Sequence, residues 1–440
     1  MSLDTIIWCV ALLLTLLVPL FYVLRERNRS ARAQEALELS RETGRDEPPS
    51  LHPVITSRCA GMGACERVCP EGKVIGLIQN RAHLIDAARC IGHGECAEAC
   101  PVDAIRLVFG TARRGVDLPE VGGDFQSTVR GVYVAGELGG MGLIRNAFTQ
   151  GRQAMQAISA DLKNDSAKSD AEVLDVVIVG AGPAGLSAAI QARLDGLKVE
   201  LLDQYGLGGA VLSYPRRKLV MTRPVEVPGQ GQWKHHKIGK EELLELFQTA
   251  AHNAGIEVRA PWQVTKVLGE LNQFVVHGPE GATLRARRVL LSIGRRGTPR
   301  KLGIPGEDSN KVSYQLLEPE IWAGSKVLVV GGGDSALEAA VALAGEGCEV
   351  SLSYRQDTLA RAREANVASF EGAVATGRIR SYLSSQLVNI QGSCVLLKQK
   401  DTDVLLENDH VFIFAGGELP TAFLEGCGIG MRRHHGRLDD

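Results

Sequence analysis

A strand, a glycine-rich turn, a helix and a second strand that ends in an acid follow one another in residues 173–204 of this 440-residue sequence. The stretch reads VLDVVIVGAGPAGLSAAIQARLDGLKVELLDQ and contains a G-x-G-x-x-G motif. The first glycine permits a tight turn, the second lets the backbone approach a pyrophosphate, and the third lets the helix pack on the strand. The pattern predicts a βαβ dinucleotide-binding unit. Its predicted contacts are Gly180, Gly182, Pro183, Ala184 and Gly185 to the pyrophosphate, and Asp203 to a ribose hydroxyl.

A second unit of the same design occupies residues 325–364, SKVLVVGGGDSALEAAVALAGEGCEVSLSYRQDTLARARE. Its second strand ends in a basic segment instead of an acid, and an arginine at this point is how such folds accept a 2′-phosphate. Arg355, with Arg361 or Arg363, therefore favours NADPH over NADH. The alternative is that these arginines form only a solvated helix start. The predicted nucleotide contacts are Gly331, Gly333, Asp334, Ser335, Ala336, Arg355 and Arg361.

The two units in this order resemble the thioredoxin-reductase-like flavoproteins of the pyridine nucleotide-disulfide oxidoreductase superfamily. The resemblance covers about residues 174–429 and includes RVLLSIGRRGTPRKLGIPGED after the first unit. It implies that the first unit binds FAD, that the second is inserted into the FAD domain and binds NADPH, and that residues 409–429 return to the FAD domain.

The disulfide reductases of that family carry a C-x-x-C pair, which is lacking in this sequence. Dithiol chemistry needs a second sulfur nearby, so a thioredoxin-type reductase is disfavoured. The pattern is closer to the ferredoxin–NADP reductases and to the bacillithiol-disulfide-reductase-like members.

The closing segment of that family is found upstream of the first unit here. Residues 126–158, QSTVRGVYVAGELGGMGLIRNAFTQGRQAMQAI, resemble the last FAD-binding strand and its helix. The resemblance implies a circular permutation, with Gly136 and Glu137 near the ribityl chain or phosphate of the flavin and Gln150 on the helix. An unrelated glycine-rich linker is the alternative, and a domain-swapped dimer would satisfy the same sequence.

Six of the ten cysteines lie in two copies of one motif, CAGMGACERVCP and CIGHGECAEACP. Residues 54–110 resemble a two-cluster ferredoxin, with Met62 and His93 in place of one cysteine of each run. In that family the last cysteine of each run reaches the other cluster. The resemblance therefore groups Cys59, Cys65 and Cys100 at one site and Cys69, Cys90 and Cys96 at the other.

The fourth ligand of each predicted site is open. His93 can bind iron through a neutral imidazole nitrogen, whereas Met62 offers a weak thioether and favours a three-iron cluster or a four-iron cluster open to an exogenous ligand. The alternatives are zinc in three-cysteine sites, or decayed motifs kept for packing. The predicted metal-binding residues are Cys59, Cys65, Cys69, Cys90, His93, Cys96 and Cys100.

Residues 5–24, TIIWCVALLLTLLVPLFYVL, carry no charge and are about as long as a bilayer core requires. Arg25, Arg27 and Arg29 follow, which predicts a transmembrane helix with the body of the protein in the cytoplasm. A cleaved signal peptide is the alternative, but the basic start and the small-residue cleavage site of such a peptide are lacking.

The sequence thus predicts an α/β protein with two Rossmann-like dinucleotide-binding domains (FAD and NAD(P)H), a small α+β ferredoxin-like domain and an N-terminal transmembrane helix. The predicted ranges are 5–24 for the transmembrane helix, 25–50 for a charged linker, 51–110 for the ferredoxin-like domain, 111–160 for the permuted closing segment, 161–172 for a linker, 173–293 for the FAD-binding domain, 294–408 for the NAD(P)H-binding domain, and 409–440 for the return to the FAD domain and the tail.

The predicted cofactors are FAD, NADPH (with NADH possible) and two iron–sulfur clusters, [4Fe-4S] or [3Fe-4S]. The predicted function is a membrane-anchored NAD(P)H-dependent oxidoreductase that passes electrons through FAD and the clusters to a redox protein, cytochrome or quinone, or in reverse. No side chain need be catalytic, because the cofactors carry the chemistry. The alternatives are a reductase of small disulfides with a structural ferredoxin segment, and a membrane-bound redox sensor. A net charge of −2 disfavours a nucleic-acid partner, and a homodimer is possible.

Overall fold

The computed structural model describes residues 3–48, 51–165, 172–216, 218–221, 224–295, 299–360, 362–400 and 402–438. Arg361, predicted to contact the nucleotide, lies outside the described residues. The chain forms two compact units. The small unit comprises Met1–Val116 and His434–Asp440, and the large unit is Asp117–Arg433.

The small unit contains one long helix and two short antiparallel strand pairs. Its elements are α1 (Leu3–Glu42), β1 (His52–Ile55), α2 (Ala64–Val68), β2 (Ile75–Ile78), β3 (Arg81–Leu84), α3 (Glu95–Glu98) and β4 (Ile105–Val108). Strand β1 pairs with β4, and β2 forms a hairpin with β3. Apolar side chains from β2 and β4, among them Ile75, Leu77 and Ile105, pack around the six cysteines in one core. The duplicated motif is therefore built into a single small hydrophobic core.

Helix α1 is continuous from the apolar N-terminal segment into the charged segment that follows it. Ala33 and Ser40 on its second half are buried, and Arg29 forms an ion pair with Glu66 of α2 at 2.5 Å. Within the described ranges, none of the helices combines the length and the apolar character needed to cross a membrane. The prediction of a transmembrane helix at residues 5–24, and of a single-pass membrane location, is therefore wrong.

The first half of the large unit is built around a seven-stranded sheet. Its elements are β5 (Val116–Pro119), β6 (Val132–Val134), α4 (Ile144–Asn164), β7 (Leu174–Val179), α5 (Pro183–Leu194), β8 (Val199–Leu202), β9 (Leu219–Met221), β10 (Val225–Val227), β11 (Gly231–Trp233), β12 (Lys237–Gly239), α6 (Lys240–Asn253), β13 (Val258–Arg259), β14 (Lys266–Leu268), β15 (Phe274–His277) and β16 (Thr283–Leu291). The strand order is β13-β8-β7-β16-β15-β14.

Strand β6 joins this sheet by pairing in parallel with the last three residues of β16. The helix that follows it, α4, packs against α5 of the first glycine-rich unit. Strand β6 and helix α4 thus belong to the first sheet and its helical layer, and their assignment as the permuted closing segment of the FAD domain stays a prediction. Both faces of the parallel strands are covered, so β7 is apolar almost throughout.

The second half of the large unit is a five-stranded parallel sheet with a three-stranded antiparallel sheet beside it. Its elements are β17 (Val312–Ser313), β18 (Lys326–Val330), α7 (Asp334–Gly345), β19 (Glu349–Tyr354), α8 (Glu364–Ala375), β20 (Ile379–Leu383), β21 (Ser385–Ile390), β22 (Cys394–Gln399), β23 (Thr402–Glu407), β24 (His410–Ile413), α9 (Thr421–Gly426) and β25 (Met431–His434). The parallel order is β17-β24-β18-β19-β20, and β21, β22 and β23 form the antiparallel sheet. The α/β class predicted from the sequence is confirmed.

A buried arginine on β16 joins the first sheet to the end of α4. The Arg288 side chain is 1% exposed and donates to Asp161 at 2.6 Å, to Asp165 at 2.9 Å and to Asn272 at 2.7 Å. Tyr133 on β6 donates to the same Asp161 carboxylate at 3.0 Å. A buried guanidinium is tolerated only when charged and polar groups replace its water, as they do here.

We predict that Arg288→Met destabilises the large unit by about 3–5 kcal/mol, because it leaves Asp161 without its cation and Asp165 with only the longer contact to Arg287, at 3.6 Å. The measurement is the midpoint of urea unfolding, followed by far-UV circular dichroism. Arg285→Met is the matched control, since Arg285 lies on the same strand and is exposed. Equal shifts in the two variants would contradict a structural role for the buried pair.

Candidate functional site

The first glycine-rich turn has the geometry that a bound pyrophosphate requires. Gly180 has a φ of +102°, and a Cβ there would lie 2.5 Å from the Ser292 carbonyl oxygen. A Cβ on Gly185 would lie 1.8 Å from the Gly180 carbonyl oxygen, so α5 packs directly on the turn. Pro183 is the first residue of α5, which directs the free N–H groups of the helix start toward the turn.

The acid at the end of β8 is fixed beside this turn. Asp203 is buried, and its Oδ1 accepts from the backbone N–H groups of Tyr205 and Gly206 at 2.8 and 3.0 Å. Its Oδ2 accepts from the N–H of Ala181 at 2.8 Å, which leaves that oxygen one further lone pair. The arrangement suits the predicted hydrogen bond from a ribose hydroxyl.

The upstream segment places Gly136 against the start of α5 and Gln150 beside Gly136, while the predicted role of the neighbouring Glu137 stays a prediction. The Gly136 N–H donates to Gln150 Oε1 at 2.9 Å. A Cβ on Gly136 would lie 2.9 Å from Ala184 Cβ, and one on Gly151 would lie 2.0 Å from the Ala184 carbonyl oxygen. Sequence reasoning missed Gly151, although an isolated glycine inside a helix was a usable signal.

We predict that Gly151→Ala lowers the FAD content of the purified protein, because a methyl group at this position must push α4 away from the α5 start. The measurement is flavin absorbance per chain after gel filtration. Gly372→Ala is the matched control, since Gly372 lies within α8 with nothing within 4 Å of its would-be Cβ. That control is expected to keep its FAD and to gain about 0.4–1 kcal/mol of stability. Full flavin content in Gly151→Ala would contradict the close contact.

The second glycine-rich turn repeats this geometry before α7. Gly331 has a φ of +143°, and its would-be Cβ lies 2.6 Å from the Phe414 carbonyl oxygen. Asp334 is the first residue of α7, and its Oδ1 accepts from the Arg363 N–H and from Asn366 Nδ2, each at 2.8 Å. Arg355 is exposed just after β19. The turn and the start of α7 also contain Gly333, Ser335 and Ala336. The predicted nucleotide-binding residues of this turn are therefore close together, and their roles stay predictions.

The six motif cysteines of the small unit form two groups. Cys59, Cys65 and Cys100 line one pocket, together with Met62 and Pro101. Cys100 comes from the second motif, so this pocket is lined by cysteines of both motifs, and the crosswise grouping of the ligands stays a prediction. Burial raises the pKa of the Cys65 thiol, and Cys59 and Cys100 contribute to that rise.

The remaining motif cysteines are Cys69, Cys90 and Cys96. Burial raises the pKa of Cys96 to about 12, with Cys90, Cys65 and Cys69 adding to it. Burial also raises the pKa of Cys90 to about 11, and Cys69 contributes. His93 is half-buried in the loop between Cys90 and Cys96, and both of its ring nitrogens are shielded from solvent.

These residues fit iron–sulfur clusters. The Ala82 N–H donates to Cys59 Sγ at 3.5 Å, and the Ala104 N–H donates to Cys100 Sγ at 3.3 Å. Such N–H···S bonds favour thiolate ligands and tune cluster potentials. Among the described residues, no three acidic, histidine or cysteine side chains converge on a single ion position. Buried thiols with raised pKa values become thiolates at neutral pH only when a cation compensates them, which a cluster would supply.

We predict that Cys59→Ala and Cys100→Ala remove the same cluster, and that Cys69→Ala and Cys90→Ala remove the other. Iron per chain should fall by about half in each variant, and electron paramagnetic resonance (EPR) should show one signal lost in the first pair and the other signal lost in the second pair. Cys394→Ala in the large unit serves as the control and should keep both signals. The grouping would be sequential instead if Cys59→Ala and Cys69→Ala removed the same EPR signal and Cys90→Ala and Cys100→Ala removed the other.

Two glycine-rich nucleotide turns in one unit and two cysteine groups in another define a flavoprotein oxidoreductase with a dicluster ferredoxin-like unit. Comparison with known families agrees with this class. The family described as pyridine nucleotide-disulphide oxidoreductase matches residues 177–438, and the 4Fe-4S dicluster domain matches residues 53–101. The chain belongs to the pyridine nucleotide-disulphide oxidoreductase family.

Known relatives cover most of the large unit. A ferredoxin–NADP reductase of Ignicoccus hospitalis is 31% identical over 276 residues, which is 60% of this chain and 85% of the relative. One from Thermus thermophilus is 28% identical over 283 residues, 61% of this chain and 81% of the relative. The predicted family, the NAD(P)H-dependent flavoprotein activity and the cofactors FAD, NAD(P)H and iron–sulfur clusters are confirmed.

Solved structures share the fold. The bacillithiol disulfide reductase Bdr from Staphylococcus aureus superimposes with a TM-score of 0.54 at 22% sequence identity. The match covers 59% of this chain and 81% of that protein. It shows the architecture of the large unit.

Proposed function

We propose that this enzyme passes electrons from NADPH through FAD to its own iron–sulfur clusters and then to a redox protein. The observation that carries the proposal is the presence of the ferredoxin-like unit in the same chain as the reductase. The relatives are named for a reaction between a reductase and a ferredoxin. Here a two-cluster ferredoxin-like unit is joined covalently to such a reductase, which raises the effective concentration of the pair.

The sequence of the large unit argues against a dithiol as the group that accepts electrons from the flavin. The sequence contains no C-x-x-C pair, so a thiol relay within the chain would lack its second sulfur. When bound, FAD accepts a hydride from NADPH and can release the electrons singly, which is the form that iron–sulfur clusters accept. The task of the chain itself is to hold the cofactors and to set their potentials.

Each side of the reductase has residues suited to its cofactor. The Gly180 turn, Asp203 and the α5 start would hold the FAD pyrophosphate and ribose, and Gln150 fixes the Gly136 backbone beside them. Arg355, exposed after β19, is available for the 2′-phosphate of NADPH. The reverse direction, reduction of NADP⁺ by a reduced partner, uses the same sites.

The test is an anaerobic titration with NADPH, followed by absorbance and by EPR on the same samples. We expect flavin bleaching together with cluster signals that grow as NADPH is added. In the double variant Cys65→Ala/Cys96→Ala, flavin bleaching should remain, while reduction of an added cytochrome falls at least about tenfold, since the relay is removed.

The two alternatives give different results in the same experiment. Turnover of small disulfides that is undiminished in the double variant would make the chain a two-electron reductase with a structural ferredoxin segment. Very slow NADPH oxidation with every acceptor, together with intact clusters, would instead make it a redox sensor. Flavin that bleaches while the clusters stay oxidised would show that the relay does not exist.

A further inference from the structure

The two cysteine motifs differ most at the residue that replaces the fourth cysteine. Met62, in the first motif, is 56% exposed and borders the pocket of Cys59, Cys65 and Cys100. His93, at the same place in the second motif, is half-buried with both ring nitrogens shielded. The first cysteine group therefore has an apolar side chain at the surface directly beside it, and the second group is more enclosed.

Three arginines surround the first motif at the surface. Arg58 directly precedes Cys59, Arg67 Nη1 donates to the Met62 carbonyl at 3.3 Å, and Arg81 Nη2 donates to the Thr56 carbonyl at 3.1 Å. All three are exposed. In the described part of the chain, no acidic side chain lies within ion-pair distance of them.

The acids near the first motif are already neutralised. Glu66 is paired with Arg29 at 2.5 Å, and Asp103 is paired with Arg106 at 3.0 Å. The surface around Met62 is therefore positive.

The second motif differs in that acids lie beside its cysteines. It contains Glu95 and the exposed Glu98, and Glu71 lies near enough to Cys90 to raise the pKa of that thiol further. Arg89, which precedes Cys90 as Arg58 precedes Cys59, also places a positive charge there, so the second motif carries both signs of charge. Among the residues that the structure describes, the charges around Met62 that lack an ion-pair partner are by contrast all positive.

We infer that Met62, Arg58, Arg67 and Arg81, here called the Met62 face, form the docking surface for an acidic electron-acceptor protein. The inference rests on the proposed function and names the exit cluster and the charge of the partner. Transient redox complexes bury little area, so charge complementarity around a small apolar centre steers them and sets their association rate. The Met62 face has that arrangement, directly above the Cys59, Cys65 and Cys100 pocket.

The experiment measures reduction of two probes by the full chain with NADPH, an acidic cytochrome b5 haem domain and basic cytochrome c. One NADPH reduces two ferric haems to ferrous and yields NADP⁺ and one proton. Rates are divided by the NADPH–ferricyanide rate of each variant, because ferricyanide is a small acceptor that needs no docking surface. The test variant is Arg58→Gln/Arg67→Gln, and the matched control is Arg41→Gln/Arg114→Gln, which removes equal charge from two other exposed positions of the small unit.

At low ionic strength, the test variant is expected to reduce cytochrome b5 about tenfold more slowly than the unchanged protein and the control, with the difference vanishing at high salt. The docking surface would be overturned if the control lost as much cytochrome b5 reduction as the test variant, or if the test variant lost none. It would also be overturned if the unchanged protein reduced cytochrome c faster than cytochrome b5 at low salt. Clusters that stay oxidised with NADPH in EPR would mark failure of the proposed function instead. Reduced clusters without any reduction of cytochrome b5 would count against the docking surface alone.

Discussion

The contact between α4 and the start of α5 is the constraint on which the large unit depends. Gly151 and Gly136 both meet Ala184, at distances that leave no space for a Cβ. Because α5 begins at the pyrophosphate turn, the same contact holds the upstream segment, with Gln150, beside the predicted flavin site. A chain order in which the closing segment precedes the glycine motif is thus compatible with a complete dinucleotide-binding sheet.

Buried charge reinforces this arrangement at the other end of α4. Arg288 on β16 is held by Asp161 and Asp165 near the end of the helix, so strand and helix are fixed in register. Burying a guanidinium costs several kcal/mol unless it is fully paired, which makes this contact a source of specificity more than of net stability. Apolar packing at Ala184 and ionic pairing at Arg288 together define the position of α4.

The small unit differs from the large unit in that its hydrophobic core contains six cysteine thiols. Its apolar side chains, such as Ile75 and Leu77, surround cysteines whose pKa values are raised by burial. Backbone N–H groups from Ala82 and Ala104 point at two of the sulfurs. The unit therefore offers both the donors and the dry surroundings that tune a cluster, and its two groups differ in exposure and charge.

The sequence by itself determined the α/β class and both glycine-rich turns, with the acid Asp203 after the first, because these depend on local spacing and residue chemistry. The crosswise cysteine grouping was implied by the resemblance to a two-cluster ferredoxin and stays a prediction. It did not show that α1 continues to Glu42 or that Ala33 on its second half is buried. The assignment of residues 5–24 as a membrane span was wrong, because none of the described helices is long and apolar enough to cross a membrane. Only the tertiary structure revealed Gly151 against Ala184, the Arg288 pairs and the contrast between Met62 and His93. These features arise from contacts between segments distant in sequence, which spacing within one segment cannot encode.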